Sequence, residues 1–509
     1  MKVICKILLV LFPVILLCSC EKENEIKDQA NEAKIADANF MNALIEMGVD
    51  YNGDGKISPL EAEQVSSLDL RDRHISDLSG LELFINLGSL DCSYNKLMSL
   101  DLSKNTALKE LDCSYNQISD LDISKCRALK KLVCIMNDLT GLEIIGNTEL
   151  TDLNCLFNEI SVLDLSGSTS LKNLNCGWNR ITDLNLSGCP SLEVLECNSN
   201  QLSGLNISGF PVLKELDCTG NRLTSLDLSS AVSIISLYCG GNPLSELDIS
   251  KNIVLEYFDC SRSGLTDLDV TGHNSLKMLL CDHNRLTRLD ISGCSALQVL
   301  RCNDNILTDI DVSGSTDLER LYCDNNNLEQ LDLSECVNLE ILKCTYNDLT
   351  NLDLSTNAAM IGLCCNNNML ISLDISHCTA MNVINCFANQ LISLDVSAVS
   401  SLKVIHCYLN PLTSLDISGN SALKELSCWS TSLTSLDVTN NTELTWLNCS
   451  FNQLTNLDIS NNAFLESIFL ISMPVLTKVC VRELPFPPVG VEIYTMDSPG
   501  IYFTDECSM

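Results

Sequence analysis

Aromatic residues and positive charge are both scarce in this chain. Only 5% of its 509 residues are Phe, Trp or Tyr although 46% are hydrophobic, so a core must be filled mainly by Leu, Ile, Val and Cys. The 31 Lys and Arg residues are outnumbered by 66 Asp and Glu, which gives a formal net charge of −35. This balance argues against a nucleic-acid partner, because proteins bind nucleic-acid phosphates mainly through Lys and Arg. It also argues against adsorption onto an anionic membrane.

Catalytic motifs are missing as well. The sequence has no Gly-rich phosphate loop and no GxSxG element. Its acidic residues repeat along the chain instead of forming one unique close pair. The five histidines form no metal-ligand or nucleophile pattern with their neighbours; they are His74, His273, His283, His377 and His406. We therefore predict that the protein is not an enzyme.

Cysteine, in contrast, is abundant and periodic. Of the 29 cysteines, 18 recur every 21 residues without an insertion or deletion, and we call them the ladder cysteines. Asn follows three residues after the ladder cysteine in 16 of the 18 units, the exceptions being Ser263 and Thr431. The ladder cysteines are Cys92, Cys113, Cys134, Cys155, Cys176, Cys197, Cys218, Cys239, Cys260, Cys281, Cys302, Cys323, Cys344, Cys365, Cys386, Cys407, Cys428 and Cys449.

Each unit follows the same sequence pattern, LxxLxCxxN, as in Leu108, Leu111, Cys113 and Asn116. This resembles the leucine-rich repeat pattern LxxLxLxxN, with Cys in the third apolar slot. It is similar to the 21-residue repeats of bacterial leucine-rich-repeat lipoproteins, built from nested units of 10 and 11 residues. The resemblance covers residues 87–470. It implies a repeat solenoid, a parallel β-rich right-handed coil with few helices.

The period also predicts where side chains point. In a strand, successive side chains alternate between the two faces, so Leu111 and Cys113 point into the core and Asp112 points out. One coil cannot bury its own leucines, whereas a stack of coils forms a continuous core. The second half of the unit repeats the first, so we expect short extended segments on both sides of the coil. Asn at the corner should bond to backbone groups and form a ladder.

The ladder cysteines are expected to be free and buried. A column of thiols on successive coils lacks the tetrahedral convergence of a zinc site, and disulfides between in-register parallel strands are rare. A buried free Cys behaves as a small hydrophobe. Cys480 and Cys507 lie outside the ladder, and the sequence leaves open whether they form a disulfide.

A column of acids accompanies the ladder. Nine residues after each ladder cysteine lies the centre of a Leu-Asp-Leu-like triplet, and this position is Asp in 15 units. Like charges facing each other across strands are destabilising, so solvent, local hydrogen bonds or cations must relieve the repulsion. The sequence predicts a solvated face that keeps the solenoid soluble, with a row of weak calcium contacts as the alternative.

The N-terminus resembles that of an exported lipoprotein. Residues 1–19 have a basic start and a short apolar run, which predicts a signal peptide. Leu17 to Cys20 resembles the bacterial lipobox, which implies that Cys20 becomes the lipidated N-terminus; an ordinary signal peptide is the alternative. Residues 20–36 are expected to form a flexible tether. The acidic stretch from Glu21 to Glu25 resembles a surface-export signal, so we expect an outer-membrane lipoprotein on the cell surface, with the inner leaflet of the outer membrane as the alternative.

Residues 37–66 contain one sequence that fits the EF-hand calcium loop. The expected ligands supply side-chain oxygens, one backbone carbonyl and a bidentate carboxylate in the order of that motif; they are Asp50, Asn52, Asp54, Lys56, Ser58 and Glu61. Short helices should flank the loop, one containing Phe40 and Leu44 and one beginning near Ala62. The alternative is a helix-capping box formed by Ser58 and Glu61. We expect one structural Ca²⁺; dockerin modules need two such loops.

The two ends of the stack need caps, since an open stack exposes apolar layers. Residues 67–86 are expected to cap the first coil beneath the calcium-loop segment. At the other end the ladder breaks after Cys449, where the next slot is Leu470. Residues 471–509, which include Pro474, Pro485, Pro487 and Pro488, are expected to form a small β cap.

Exposed aromatic residues suggest where a partner binds, because such residues favour interfaces. The main candidate patch is Phe387, Tyr408, Trp429, Trp446 and Phe451. A second cluster two residues after the ladder cysteines consists of Tyr94, Tyr115, Phe157 and Trp178. The alternative is that these rings only pack on one another at the corner.

The sequence therefore predicts a binding protein. A surface-displayed lipoprotein that recognises a host or bacterial protein, or mediates adhesion, is the preferred function. A glycan-binding lipoprotein with aromatic sugar platforms is one alternative, and a structural coat protein without a specific ligand is another. The membrane is expected to be contacted through the lipid anchor only.

Overall fold

The computed structural model describes residues 35–507. The predicted signal peptide, Cys20 and nearly all of the predicted tether lie outside the described residues. The chain divides into two compact units, Met1–Ile234 and Ile235–Met509, which we describe separately as the N-terminal and C-terminal units. Neither α-helix in the described part of the chain has the length and apolar character needed to cross a membrane.

The N-terminal unit begins with helix α1 (Ala38–Glu46) and the short helix α2 (Pro59–Ala62), and it has a 3-10 turn at Leu81–Leu83. Its strands have three residues each: β1 Ser67–Asp69, β2 Ser89–Asp91, β3 Glu110–Asp112, β4 Lys131–Val133, β5 Gly141–Glu143, β6 Asp152–Asn154, β7 Val162–Asp164, β8 Asn173–Asn175, β9 Val194–Glu196 and β10 Glu215–Asp217. Strands β1, β2, β3, β4, β6, β8, β9 and β10 pair in that order as a parallel sheet, and β5 pairs with β7.

The C-terminal unit continues with strands of the same length. They are β11 Ser236–Tyr238, β12 Tyr257–Asp259, β13 Met278–Leu280, β14 Arg288–Asp290, β15 Val299–Arg301, β16 Asp309–Asp311, β17 Arg320–Tyr322, β18 Ile341–Lys343, β19 Gly362–Cys364, β20 Val383–Asn385, β21 Val404–His406, β22 Glu425–Ser427, β23 Trp446–Asn448, β24 Asn456–Asp458, β25 Ser467–Phe469, β26 Lys478–Cys480, β27 Glu492–Tyr494 and β28 Tyr502–Thr504.

Thirteen of these strands form one parallel sheet, in the order β11, β12, β13, β15, β17, β18, β19, β20, β21, β22, β23, β25, β27. Strands β14 and β16 pair on the second side of the coil, as do β24, β26 and β28. The protein is a parallel β-solenoid of leucine-rich-repeat type with very few helices, as the sequence predicts. Strands on the second side occur in only some of the described coils.

The core of each coil comes from the inward positions that the pleat predicts. The central strand residue and the ladder cysteine are buried, as Leu111 and Cys113 show. The ladder extends past the strand, because the N–H of Cys92 donates to the carbonyl of Asp112 (2.8 Å) and that of Tyr94 to the carbonyl of Ser114 (2.9 Å). The parallel pairing therefore continues through the ladder cysteine to the residue two positions beyond it.

The asparagine ladder closes each corner. The side-chain nitrogen of Asn116 donates to the carbonyls of Cys113 (3.1 Å) and of Cys92 in the preceding coil (3.0 Å). Its Oδ1 accepts the N–H of Leu97 (2.9 Å). The residue before this Asn, Tyr115, has a φ of +55° in the left-handed region. Because that region costs a non-glycine residue about 1 kcal/mol or more, the Asn bonds hold a backbone that would otherwise relax.

The last described residues continue the solenoid. Residues 467–504 extend both strand columns of the solenoid, because Phe469 pairs with Tyr494 in parallel register and Val479 pairs with Phe503. The insertion that contains Pro485, Pro487 and Pro488 lies between these coils. Cys480 and Cys507 form a disulfide, which ties the chain just after β28 to β26.

The N-terminal segment packs on the first coils. The ring of Phe40 on α1 lies 6.4 Å from that of Phe84, and one carboxylate oxygen of Asp37 accepts both the N–H and the hydroxyl of Ser76 at 2.8 Å. The second helix begins at Pro59, not near Ala62 as expected, because Ser58 caps it.

Candidate recognition surface

Three columns of side chains form the outward face of the larger sheet in each unit, and we call this surface the front face. They are the residues three before, one before and one after the ladder cysteine. The central strand residue between the first two is buried in every strand that precedes a ladder cysteine, whereas Ile493 in β27 is partly exposed. Because the coils pair in register, each column places equivalent residues of adjacent coils side by side.

The front face of the N-terminal unit is acidic. It carries the carboxylates of Asp69, Asp91, Glu110, Asp112, Asp152, Glu196, Glu215 and Asp217. Arg71 pairs with Asp91 at 2.8 Å. Burial raises the pKa of Glu196, and so do the neighbouring carboxylates of Glu215 and Asp217. This face favours solvent or cations over apolar groups.

The front face of the C-terminal unit has a different character. The column three residues before the ladder cysteine is mostly apolar from β12 to β21, and its members are half-buried. They are Tyr257, Met278, Val299, Ile341, Val383 and Val404. Arg320 and Gly362 interrupt the column. We call this the apolar column. It was not among the residues predicted from the sequence, although apolar residues recur at the outward position three before successive ladder cysteines.

Cations border the apolar column. Arg301 and Lys343 occupy the next front column, on β15 and β18. The ammonium group of Lys343 lies 5.4 Å from the centre of the Tyr322 ring, which is within cation–π range. Arg301 lies 3.6 Å from Asp282, so its charge is partly compensated.

The predicted aromatic patch falls into two groups. Phe387, Tyr408 and Trp429 stack on one another, with ring centres 4.2 and 4.7 Å apart and planes 10° and 16° apart. Phe451 is tilted against Trp429 at 6.3 Å. The stack belongs to the front face and is half-buried, whereas Phe451 is exposed at the bend. The faces of Tyr408 are therefore covered on both sides.

Trp446 lies outside that stack, in the line of the apolar column. Its ring centre is 5.5 Å from Phe469 and 6.3 Å from His406. Phe469 in turn stacks on Tyr494 at 4.5 Å. The sequence argument missed Phe469 and Tyr494, although Phe469 directly precedes Leu470, the slot where the cysteine ladder ends.

The second predicted aromatic cluster lies at the bends. Tyr94 stacks on Tyr115 at 4.1 Å, and Phe157 on Trp178 at 5.1 Å. All four have left-handed φ values of 50–56° and are exposed. They therefore lie beside the front face and form two separate pairs.

The predicted calcium loop is ordered by its own side chains. Asp50 accepts the N–H groups of Gly53, Asp54 and Gly55, at 2.7–3.2 Å. Gly53 and Gly55 have φ values of +73° and +80°, which glycine adopts without strain. Asn52 Oδ1 accepts the N–H of Asp54 at 2.8 Å.

Glu61 ends the loop and also caps α2. Its buried carboxylate accepts the N–H of Ser58 (2.8 Å) and of Asn52 (3.4 Å), so the capping box is present. Oxygen donors of this kind suit calcium. Among the His, Cys, Asp and Glu side chains of residues 35–507, three ligand atoms converge to metal-site spacing only at Asp458, Cys480 and Cys507, where the cysteines are disulfide-bonded. A calcium ion would have to draw the loop carboxylates closer.

Local hydrogen bonds organise the acid column on the second side. The carboxylate of Asp353 accepts the N–H of Ser355 (2.9 Å), and the same bond recurs along the column. These bonds lower the pKa of Asp353 and Asp374. Asn185 makes the same bond to Ser187 at 3.1 Å, so the position needs an oxygen acceptor rather than a charge.

The ladder cysteines are buried and form no disulfide, and burial raises the pKa of Cys155 and Cys407 to about 12. Among the free cysteines of residues 35–507, only Cys364 is partly exposed. It lies on the front face at the end of β19, and Asn385 Nδ2 is 3.3 Å from its sulfur.

Several solved structures share this architecture. YopM from Yersinia enterocolitica WA-314 is 22% identical with a TM-score of 0.62, over 87% of this chain and 92% of that one. The Leptospira interrogans LRR protein LIC12759 is 21% identical with a TM-score of 0.51, over 82% and 98%. The plant peptide hormone receptor RGFR1, in complex with RGF2, is 18% identical with a TM-score of 0.62, over 87% and 95%. These similarities establish the leucine-rich-repeat fold. No protein-family model and no curated protein matches the chain.

Proposed function

We propose that this protein is a lipid-anchored surface protein that recognises another protein through the front face of its C-terminal unit. The observation that carries this proposal is the apolar column, in which half-buried residues from Tyr257 to Val404 lie side by side on an outward sheet face. Although Arg320 and Gly362 interrupt the column, removing its apolar side chains from water against a partner is favourable. The acidic front face of the N-terminal unit lacks such a column.

Protein is the partner class that suits this surface best. Aromatic residues and arginine, which are enriched at the centres of protein interfaces, border or interrupt the apolar column at Tyr322, Arg320 and Trp446. The plant receptor with the same fold is a peptide hormone receptor in complex with RGF2. This agrees with a peptide or protein partner, but the argument for this chain rests on its own front face.

The arrangement of the rings is unfavourable for glycan binding. A sugar that stacks on an aromatic ring needs an open ring face. In the row Phe387, Tyr408 and Trp429, the rings of each neighbouring pair are stacked in van der Waals contact. A ligand could therefore reach only the ring edges and the outer faces of the two end rings. A structural coat protein without a ligand remains the outcome if no partner binds.

The proposal includes two accessory features that the sequence predicts. Cys20 would carry the lipid and residues 21–36 the tether, so that the solenoid stands away from the outer membrane. One Ca²⁺ would be held by Asp50, Asn52, Asp54 and Glu61, with the carbonyl of Lys56 and the hydroxyl of Ser58. Its role would be to stiffen the segment that covers the first coils, where Asn86 also donates to the carbonyl of Glu63 at 2.8 Å.

The experiment measures binding of the mature chain, with Cys20→Ser to omit the lipid, to arrays of host extracellular-matrix proteins and of glycans. The front-face variant is Tyr257→Ala with Trp446→Ala. The matched control, Tyr346→Ala with Trp178→Ala, removes the same residue types from exposed positions at the bends. We expect a protein ligand whose affinity falls at least tenfold for the front-face variant and stays unchanged for the control.

Other outcomes separate the alternatives. Loss in the control variant alone would move the site to the bends. A ligand found only on the glycan array would establish the glycan alternative. Binding to neither array would favour the structural coat protein. Circular dichroism and thermal melting of each variant would show that the solenoid remains folded.

A further inference from the structure

A cleft opens on the front face near the C-terminal end of the apolar column. It has a volume of about 320 Å³ and lies over β21, β22, β23 and β25. Its lining comprises His406, Glu425, Thr445, Trp446, Glu466 and Ser467. It therefore combines one large aromatic side chain with two carboxylates.

The two carboxylates have no strong cationic partner. Glu425 lies 3.8 Å from His406, and burial lowers the pKa of that imidazole. Within residues 35–507, no Lys or Arg nitrogen lies within 4.0 Å of Glu425 or Glu466. Lys403 and Lys424, which directly precede β21 and β22, form no such ion pair. The cleft is therefore left with uncompensated negative charge.

The aromatic wall is held in place from two sides. Phe469 packs against Trp446 at 5.5 Å, and the edge of His406 contacts it at 6.3 Å. On β22, the residue next to His406 in its column is Ser427, which is small and buried and therefore leaves room for the indole of Trp446. Trp446 is half-buried, so part of its ring remains open to the cleft.

We infer that this cleft, defined by Trp446, Glu425 and Glu466, binds a basic side chain, arginine or lysine, of the protein partner. Both side chains have an apolar stem, which would lie along Trp446, and a cationic head, which would meet the carboxylates and the indole ring. The inference deepens the proposed function and rests on it. It adds the chemistry of the partner: a segment with a basic residue next to apolar residues that cover the apolar column.

A random peptide display library tests the inference without knowledge of the natural partner. Peptides are selected on the mature chain with Cys20→Ser, and in parallel on the same chain with Glu425→Gln and Glu466→Gln. The matched control carries Glu246→Gln and Glu329→Gln, two exposed carboxylates outside the cleft with the same change in net charge. We expect Arg or Lys beside apolar residues in the peptides from wild type and control, and loss of the basic residue from the variant's peptides.

A selected peptide then gives the quantitative test. Replacing its Arg by citrulline, or its Lys by norleucine, should weaken binding to wild type at least tenfold and leave binding to the Glu425→Gln, Glu466→Gln variant almost unchanged. Equal weakening on both proteins would overturn the cleft assignment.

The outcomes also separate this inference from the proposed function. Peptides that depend on Trp446 and Tyr257 but show no preference for Arg or Lys would overturn the inference and leave protein recognition standing. Failure to select any peptide on wild type would overturn the inference and count against protein recognition as well.

Discussion

The side-chain nitrogen of Asn284 donates to the carbonyl of Cys260, one coil earlier, at 3.0 Å. The same amide donates to the carbonyl of Cys281, and its Oδ1 accepts the N–H groups of Ser263 and Leu265 at 3.1 and 3.0 Å. One buried side chain thus satisfies backbone groups of two coils.

Replacing this residue should be costly. Asn284→Ala leaves several buried backbone groups unpaired, and we expect a loss of about 3 kcal/mol in the free energy of unfolding, as several such groups at about 1 kcal/mol each imply. Urea denaturation measures it. Asn351→Ala, at an exposed position, is the control and should change stability by less than about 0.5 kcal/mol. A similar small effect for both would show that the ladder contributes little.

Thiol reactivity should single out one residue in the folded protein. Burial raises the pKa of Cys344, Cys365 and Cys386 well above the usual value, which suppresses the reactive thiolate. Cys364 is partly exposed. We expect iodoacetamide at pH 8 to label Cys364 before any ladder cysteine, and peptide mass mapping locates the label. Equally fast labelling of Cys365 would contradict the buried column.

Calcium should bind the loop and stabilise the N-terminal segment. Tyr51 lies within the loop and is 67% exposed, so it should sensitise the luminescence of bound Tb³⁺. We expect Ca²⁺ to displace the Tb³⁺ and to raise the Tm of the wild-type protein. Glu61→Gln should abolish both effects, because it removes the bidentate ligand. Glu63→Gln, just outside the loop, is the control, and the absence of luminescence in wild type would refute the calcium site.

Acid should destabilise the column on the second side. Hydrogen bonds lower the folded-state pKa of Asp332, Asp353 and Asp374 below the usual value of an aspartate. A lowered pKa means that the charged form stabilises the fold; this contribution is complete above the unfolded-state pKa and is lost as the pH falls through the folded-state pKa. The Tm should therefore decline below about pH 4.

Asparagine at these positions provides the matched variant. The triple variant Asp332→Asn, Asp353→Asn, Asp374→Asn keeps the local hydrogen bond, as Asn185 and Asn206 do naturally. The three substituted positions cannot titrate, so the Tm of the variant should decline less than that of wild type between pH 5 and pH 3. The difference should be small, because only three of many acidic residues are removed. An unchanged decline would show that other carboxylates control acid unfolding.

The inward positions were predictable from the sequence because they repeat. Leu111 and Cys113 follow from the period and the pleat alone, and so does the contact of Asn116 with the backbone. His273 was less obvious: it occupies an inner position where most of the other coils have Asn or Cys, and its ring nitrogens contact the carbonyls of Val270 (3.0 Å) and Ile249 (3.2 Å). A histidine without a metal partner in the sequence thus has a structural role.

The end of the solenoid was not predictable for a related reason. Ser467 pairs with Glu492, a step of 25 residues that the 21-residue period does not anticipate. The apolar column was missed because its members share only their position, three residues before the cysteine, and not a residue type. The structure shows that these positions are equivalent because they lie side by side in the sheet, whereas the sequence shows no shared residue type.

The constant coil length has a consequence for how this surface changes over evolutionary time. Since the core and corner residues of a coil are complementary to copies of themselves, whole 21-residue units are interchangeable parts. Duplication or deletion of one unit preserves the frame of all others, and substitution at a front column leaves the interior untouched. Such a molecule can lengthen or shorten its front face, or change its surface residues, in discrete steps while its architecture stays the same.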